Sequence, residues 1–88
     1  MASYKIIVKP SVEKDFRSIP HKIAAKVWEH IERLKDNPFP PQSIKLAGAE
    51  QLYRLRMGDY RMIYGVDTKA KQVTIHYIRH RREVYRHL

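Results

Sequence analysis

Two runs of alternating apolar and polar residues meet at Gly58-Asp59, and this junction restricts the possible folds more than any other segment of the chain. Tyr53, Leu55 and Met57 have one parity, Arg54 and Arg56 have the other, and a second alternating run starts at Tyr60. Period-two alternation on both sides of a short glycine-containing break predicts a β-hairpin. With Gly58-Asp59 as a two-residue loop, antiparallel partners keep a constant sum of residue numbers. Met57 then faces Tyr60, Arg56 faces Arg61, and Arg54 faces Ile63. Arg54, Arg56 and Arg61 therefore share one face, which the parity assigns to solvent because an unpaired guanidinium is costly to bury. Like charges opposite one another weaken a strand pair by about a few tenths of a kcal/mol, so the cluster calls for an external anion, phosphate being the obvious candidate. The plainer alternative is a solvated strand face on a basic chain.

Charge favours the first view. The 88 residues hold 18 Lys+Arg against 9 Asp+Glu, a formal net charge of +9, with a pI near 10.0. Such a balance points to a polyanionic partner, nucleic acid first, although an anionic membrane surface or an acidic protein would satisfy it equally. The length predicts a single domain over residues 1–88, burying only about 60 to 65 per cent of its unfolded surface, with no room for a second catalytic domain. Cysteine is absent, which excludes disulfides and thiolate zinc sites. The apolar run at the N-terminus is too short for a signal peptide, and no stretch is long and apolar enough to span a bilayer. A soluble cytoplasmic protein with no membrane association is expected.

The remaining elements follow from periodicity. Tyr4 to Lys9 reads as a first strand, and Ser11 as the N-cap of a short helix ending near Ser18. Pro20 suits the first position of a second helix, with Ile23, Val27, Ile31 and Leu34, flanked by Ala24 and Trp28, forming its apolar stripe. Trp28 is expected in the core, and Lys22, Lys26 and Arg33 on a solvated face. Asn37-Pro38 and Pro40-Pro41 end the helix and extend a loop toward Ser43. After the hairpin, 60–66 is a strand, 67–71 a polar loop and 73–78 a further strand, followed by a polar tail from Arg79 to Leu88. The order predicts an α+β fold: a strand, an antiparallel helix pair, then a three-stranded antiparallel meander with a short C-terminal tail. The helices cover one face of the sheet, and the arginine-bearing face is left open.

Tyr53-Arg54-Leu55-Arg56-Met57-Gly58-Asp59-Tyr60-Arg61-Met62-Ile63-Tyr64, followed later by His80-Arg81-Arg82-Glu83-Val84-Tyr85, resembles the RelE branch of the RelE/ParE toxin superfamily. Lys45-Leu46-Ala47-Gly48 resembles the family's Lys-Leu-x-Gly segment. The resemblance spans nearly the whole chain and implies a RelE-like fold. It further implies the toxin of a type II toxin-antitoxin system, a ribosome-dependent endoribonuclease that cuts messenger RNA in the ribosomal A site without cofactor or metal. The implied partners are mRNA, the ribosome and an acidic or amphipathic antitoxin, the toxin itself being monomeric.

The resemblance places catalysis on Arg54, Arg56, Arg61, Arg81 and Tyr85. Arg61 and Arg81 would clamp the scissile phosphate, because guanidinium pairs bidentately with phosphate and stays protonated. Arg54 and Arg56 stand where better studied relatives have lysines, which favours phosphate binding over proton transfer. Tyr85 is the favoured base, with base stacking or simple cover for the core edge as alternatives. His80 is the reserve acid or base, and Glu83 a partner for Arg81. Arg79, where relatives commonly have glycine, joins Arg54, Arg56, Arg82 and Lys45 as a candidate RNA contact. His21, His30, His76 and His87 lack zinc-ligand spacing, so no metal site is expected. Two other readings remain open: a ParE-like inhibitor of DNA gyrase on the same fold, and a noncatalytic RNA-binding relative.

Overall fold

Among the described residues, Arg61 to Tyr64 is the longest uninterrupted run of buried side chains, and a strand buried on both faces belongs inside a sheet. A computed structural model describes residues 3–48 and 51–81. Its elements are β1 (Lys5–Val8), α1 (Pro10–Arg17), α2 (His21–Leu34), β2 (Ser43–Lys45), β3 (Leu52–Met57), β4 (Tyr60–Asp67) and β5 (Gln72–His80). They form a five-stranded sheet in the order β1-β5-β4-β3-β2, with β4 at its centre. The meander β3-β4-β5 is antiparallel, as expected, and β1 lies parallel to β5 with Ile6 opposite Val73. The hairpin register is the one the alternation requires: Met57 opposite Tyr60, Arg56 opposite Arg61 and Arg54 opposite Ile63.

One face of this sheet carries Leu55, Met57, Met62, Tyr64, Val66, Val73, Ile75 and Ile78, which form a single core with Val12 of α1 and Val27, Ile31 and Leu34 of α2. The spacing 27, 31, 34 follows one side of a helix, so α2 buries that stripe. Trp28 sits one residue round from it and is not core: it is 46% exposed, its ring meeting Phe16 edge-on with centroids 6.0 Å apart. Ile23, expected in the stripe, is also exposed. Tyr64 is fully buried, and its hydroxyl donates to the Pro38 carbonyl at 2.8 Å.

The two departures at the chain's edges have local causes. Ser11 does not cap α1, because Pro10 takes the first helical position and Lys9 becomes the cap residue. Ser11 works elsewhere. Since β1 stops at Val8, the upper edge of β5 has no strand beside it, and α1 supplies the missing partners. Lys9 N–H donates to Ile75 O at 3.4 Å, Ser11 Oγ donates to His76 O at 3.2 Å, and Asp15 Oδ2 accepts from Ile78 N–H at 3.0 Å. Ser11 and Asp15 are one helical turn apart and so present their oxygens to the same strand. At the other edge, 43–45, a stretch to which the sequence pattern assigns no element, pairs with β3 as a short strand. Three residues are too few for alternation to register.

Asp15 also pairs with Arg79, so replacing it strands both a strand amide and a guanidinium. Asp15→Ala is expected to lower stability by about 1 to 3 kcal/mol, read as a fall in urea midpoint at constant slope. Tyr64→Phe should cost about 1 kcal/mol at neutral pH through the orphaned Pro38 carbonyl. Burial pushes the Tyr64 phenol up to about 12, against a smaller opposing pull from the Ser43 hydroxyl. The folded state thus holds this proton more tightly than the unfolded state, whose phenol ionises near pH 10. The hydroxyl's contribution is therefore full below pH 10 and fades as pH rises toward 12. The stability gap between wild type and Tyr64→Phe should narrow when urea unfolding at about pH 8 is compared with about pH 11.

Candidate functional site

The sheet face turned away from the helices is organised in transverse rows. Register aligns Ile44, Arg54, Ile63 and Tyr77 across β2, β3, β4 and β5, and places Arg56, Arg61 and Arg79 in the adjacent row. Between the rows and the hairpin turn lies a cleft of about 480 Å³ lined by Gln42, Ile44, Arg54, Arg56, Gly58 and Arg61. Gly58 makes this turn possible with φ at 63°, a conformation that side-chain-bearing residues rarely adopt. Among the described residues, the cleft wall holds three arginines and no carboxylate.

Arg61 departs from the solvated position expected of it. It is only 6% exposed and forms part of the cleft wall, its Nη1 donating to Gly58 O at 2.9 Å and to Tyr60 O at 3.0 Å. The turn curls its carbonyls toward the guanidinium, which satisfies donors that burial would otherwise leave unmet. These carbonyls are neutral. Among the described residues no carboxylate pairs with Arg54, Arg56 or Arg61, so the positive charge stays available to an anion. Arg56 is exposed and Arg54 half-buried, giving a graded approach from solvent to the buried arginine.

The other candidate residues divide. Arg81 follows β5 directly, and its backbone N–H donates to Asp59 O at 2.7 Å, which fixes the start of the tail against the turn that borders the cleft. Its side chain is half exposed, with Nε 4.0 Å from Asp59 Oδ1. Arg79 shares the arginine row but is engaged: Asp15 pairs with it, and its guanidinium lies 5.2 Å from the centre of the Tyr77 ring. His80 is not brought to the cleft. It pairs with Tyr60, whose parity is that of the helix-covered face, and the two rings meet edge-on at 5.3 Å. Lys45 is opposite Tyr53 and so has the parity opposite to Ile44 and Arg54, away from the cleft. Arg82, Glu83 and Tyr85 lie outside the described residues.

Gln42 and Ile44 line the cleft without having been anticipated, because they belong to the short edge strand and the loop before it. Tyr77 was missed for a different reason. Strict alternation would give it the parity of Val73 and Ile75, which face the core, but a bulge shifts the register between Ile63 and Tyr64 and leaves His76 without a β4 partner. Tyr77 consequently points to the open face, opposite Ile63.

Among known families, the model described as the ParE toxin of the type II toxin-antitoxin system parDE matches residues 6–85. A toxin RelE of Mycobacterium tuberculosis is 31% identical over 84 residues, covering 94% of this chain and 87% of that protein. In the crystal structure of the archaeal RelE-RelB complex from Pyrococcus horikoshii OT3, a chain with 33% identity superposes with a TM-score of 0.82, over 90% of this chain and 96% of that one. The toxin-antitoxin complex RelBE2 of Mycobacterium tuberculosis contains a chain with 26% identity and a TM-score of 0.77, covering 90% of this chain and 99% of that one. A match running almost end to end, over a fold of two helices on a mixed sheet, places this chain in the RelE/ParE superfamily as a type II toxin of the RelE family.

Proposed function

We propose that this chain is a ribosome-dependent endoribonuclease that cleaves messenger RNA in the ribosomal A site. The supporting observation is the cleft in which Arg54, Arg56 and Arg61 stand together with no carboxylate among the described residues of its wall, and with Arg81 anchored beside the turn at its border. RNA can supply its own nucleophile: the ribose 2'-hydroxyl attacks the adjacent phosphorus and the 5'-oxygen departs, leaving a 2',3'-cyclic phosphate. This path needs a base for the 2'-proton, an acid for the 5'-oxygen, and positive charge around the pentacoordinate transition state.

Arg61 and Arg81 provide that charge in this reading. A guanidinium already fixed by two carbonyls needs little reorganisation as negative charge develops on the phosphate. Arg54 and Arg56 hold the phosphate from the solvent side. Because arginine keeps its proton, neither is assigned a proton transfer. Tyr85 is the proposed base, its phenolate favoured by neighbouring arginines. His80 is set aside as a proton carrier, since its ring packs on Tyr60 at the other face of the sheet. An acidic or amphipathic antitoxin would silence the toxin by covering the basic face, and the toxin would act as a monomer once released. The structural relatives solved as RelE-RelB complexes support such a partner.

A second reading, a ParE-like gyrase inhibitor that cleaves nothing, has in its favour the family model that matches this chain. Purified protein added to translating ribosomes, with mRNA 5' ends mapped by primer extension and a parallel supercoiling assay, separates the two. Cuts at A-site codons are expected, and intact mRNA with inhibited supercoiling would sink the nuclease reading. Arg61→Gln keeps an amide donor for the turn carbonyls while removing the charge. It should lower single-turnover cleavage by about 10²- to 10³-fold with a smaller change in melting temperature than Arg61→Ala. Tyr85→Phe tests the base: single-turnover cleavage at the wild-type rate would show that another group takes the 2'-proton.

A further inference from the structure

Beside the arginine cleft, the same face of the sheet holds an aromatic group to which the preceding mechanism gives no task. Tyr77 stands in the row Ile44-Arg54-Ile63-Tyr77, two strands from Arg54 and one strand over from the Arg61 strand. Ile63 between them is 5% exposed yet is not part of the helix-side core, so it forms an apolar floor on the open face. With strands about 4.8 Å apart, Tyr77 lies about 10 Å from Arg54 and about 8 Å from Arg61, measured along the sheet. That span suits one nucleotide, with its phosphate at one end and its base at the other.

The ring is also held. Arg79, two residues along β5 on the same face, places its guanidinium 5.2 Å from the Tyr77 ring centre, and Asp15 of α1 fixes Arg79 by an ion pair. Asp15 is itself tied to the Ile78 amide, so the support runs from helix to strand to ring. An aromatic ring fixed by packing loses little freedom when a second planar group is laid on it. Stacking on such a ring is tolerant of base identity and accompanies a basic groove wherever proteins hold single-stranded RNA.

From these placements we infer that Tyr77 is a nucleobase-stacking subsite, one nucleotide from the phosphate held by the arginine cleft, with Asp15 and Arg79 as its positioning residues. The role in cleavage rests on the nuclease reading above; the capacity to stack a base does not. A base stacked both before and during the reaction contributes mainly to KM. On translating ribosomes, Tyr77→Leu should therefore raise KM by about 5- to 100-fold, a larger effect than on kcat, and Tyr77→Phe should restore most of the affinity. Equal KM for wild type and Tyr77→Leu, with wild type cleaving, would overturn the subsite alone. Intact mRNA with wild-type protein would instead overturn the nuclease reading.

Fluorescence decides stacking without the ribosome. Since Trp28 is the one tryptophan of the chain, Tyr77→Trp in a Trp28→Phe background carries a single reporter at the proposed subsite. A short 2'-O-methyl oligoadenylate, which has no nucleophile and cannot be cut, should quench it, and an abasic strand of the same length should not. Absence of quenching, or equal quenching by the abasic strand, would overturn the proposal.

Discussion

The register across β3, β4 and β5 is the constraint on which the remainder of this molecule depends. Because side chains alternate between the faces of a sheet, a slip of β3 by one residue against β4 would carry Arg54 and Arg56 into the helix-packed core and expose Leu55 and Met57. The apolar parity and the turn enforce the same answer. Gly58 allows the tight reversal, the core draws in Leu55 and Met62, and the arginines are left together by elimination. Their mutual repulsion is a cost the fold accepts, and Arg61 shows how it is limited: the turn whose geometry creates the cluster also supplies the carbonyls that hold its most buried member. The site and the hairpin are thus one construction. A variant that loosens the turn removes binding charge and the support for that charge together.

A second dependence runs through α1. Parallel pairing with β1 protects only the first half of β5, and beyond Val8 the strand would present an open edge of the kind that invites pairing with another chain. Ser11 and Asp15 close that edge with side chains in place of backbone. The substitution has a consequence for charge. A backbone carbonyl would only satisfy the Ile78 amide, whereas the Asp15 carboxylate also holds Arg79 in the row containing Arg61 and Arg56. Helix packing at one edge of the sheet therefore decides how much positive charge the open face presents.

Much of this was legible in the sequence, and the parts that were not fail for identifiable reasons. The hairpin and its register followed from parity and Gly58-Asp59 alone, since two alternating runs about a tight turn admit one pairing that keeps apolar residues together. The stripe of α2 was legible at Val27, Ile31 and Leu34, but its width was overestimated at Trp28 and Ile23: with a sheet on one side only, a short stripe suffices, and neighbouring apolar residues remain at the boundary. Ser11 was misread because a serine before a helical pattern has the same local signature whether it caps the helix or reaches a distant carbonyl, here His76 at a separation of 65 residues. The bulge that turns Tyr77 outward leaves no local mark, as it depends on how β4 and β5 accommodate one another. Within the site, charge type was readable and burial was not. Nothing local to Arg61 says that its neighbours in the turn will wrap it.

Arginine at positions 54 and 56 sharpens the division of labour that the geometry allows. A lysine in a cluster of like charges can lose its proton near neutral pH and serve as an acid or base, but an arginine cannot, so the cleft wall can bind and polarise a phosphate without moving a proton. His80, the described imidazole next to Arg81, faces the helix side through Tyr60. Under the proposed function, proton transfer falls to groups beyond this wall, from the chain's own tail or from the RNA and ribosome around it. A toxin whose cleft supplies charge but not protons would be slow on free RNA and quick only where its target supplies the missing geometry. Under the proposed function, dependence on the ribosome is then a chemical property of the arginine wall and not merely a matter of where the substrate is found.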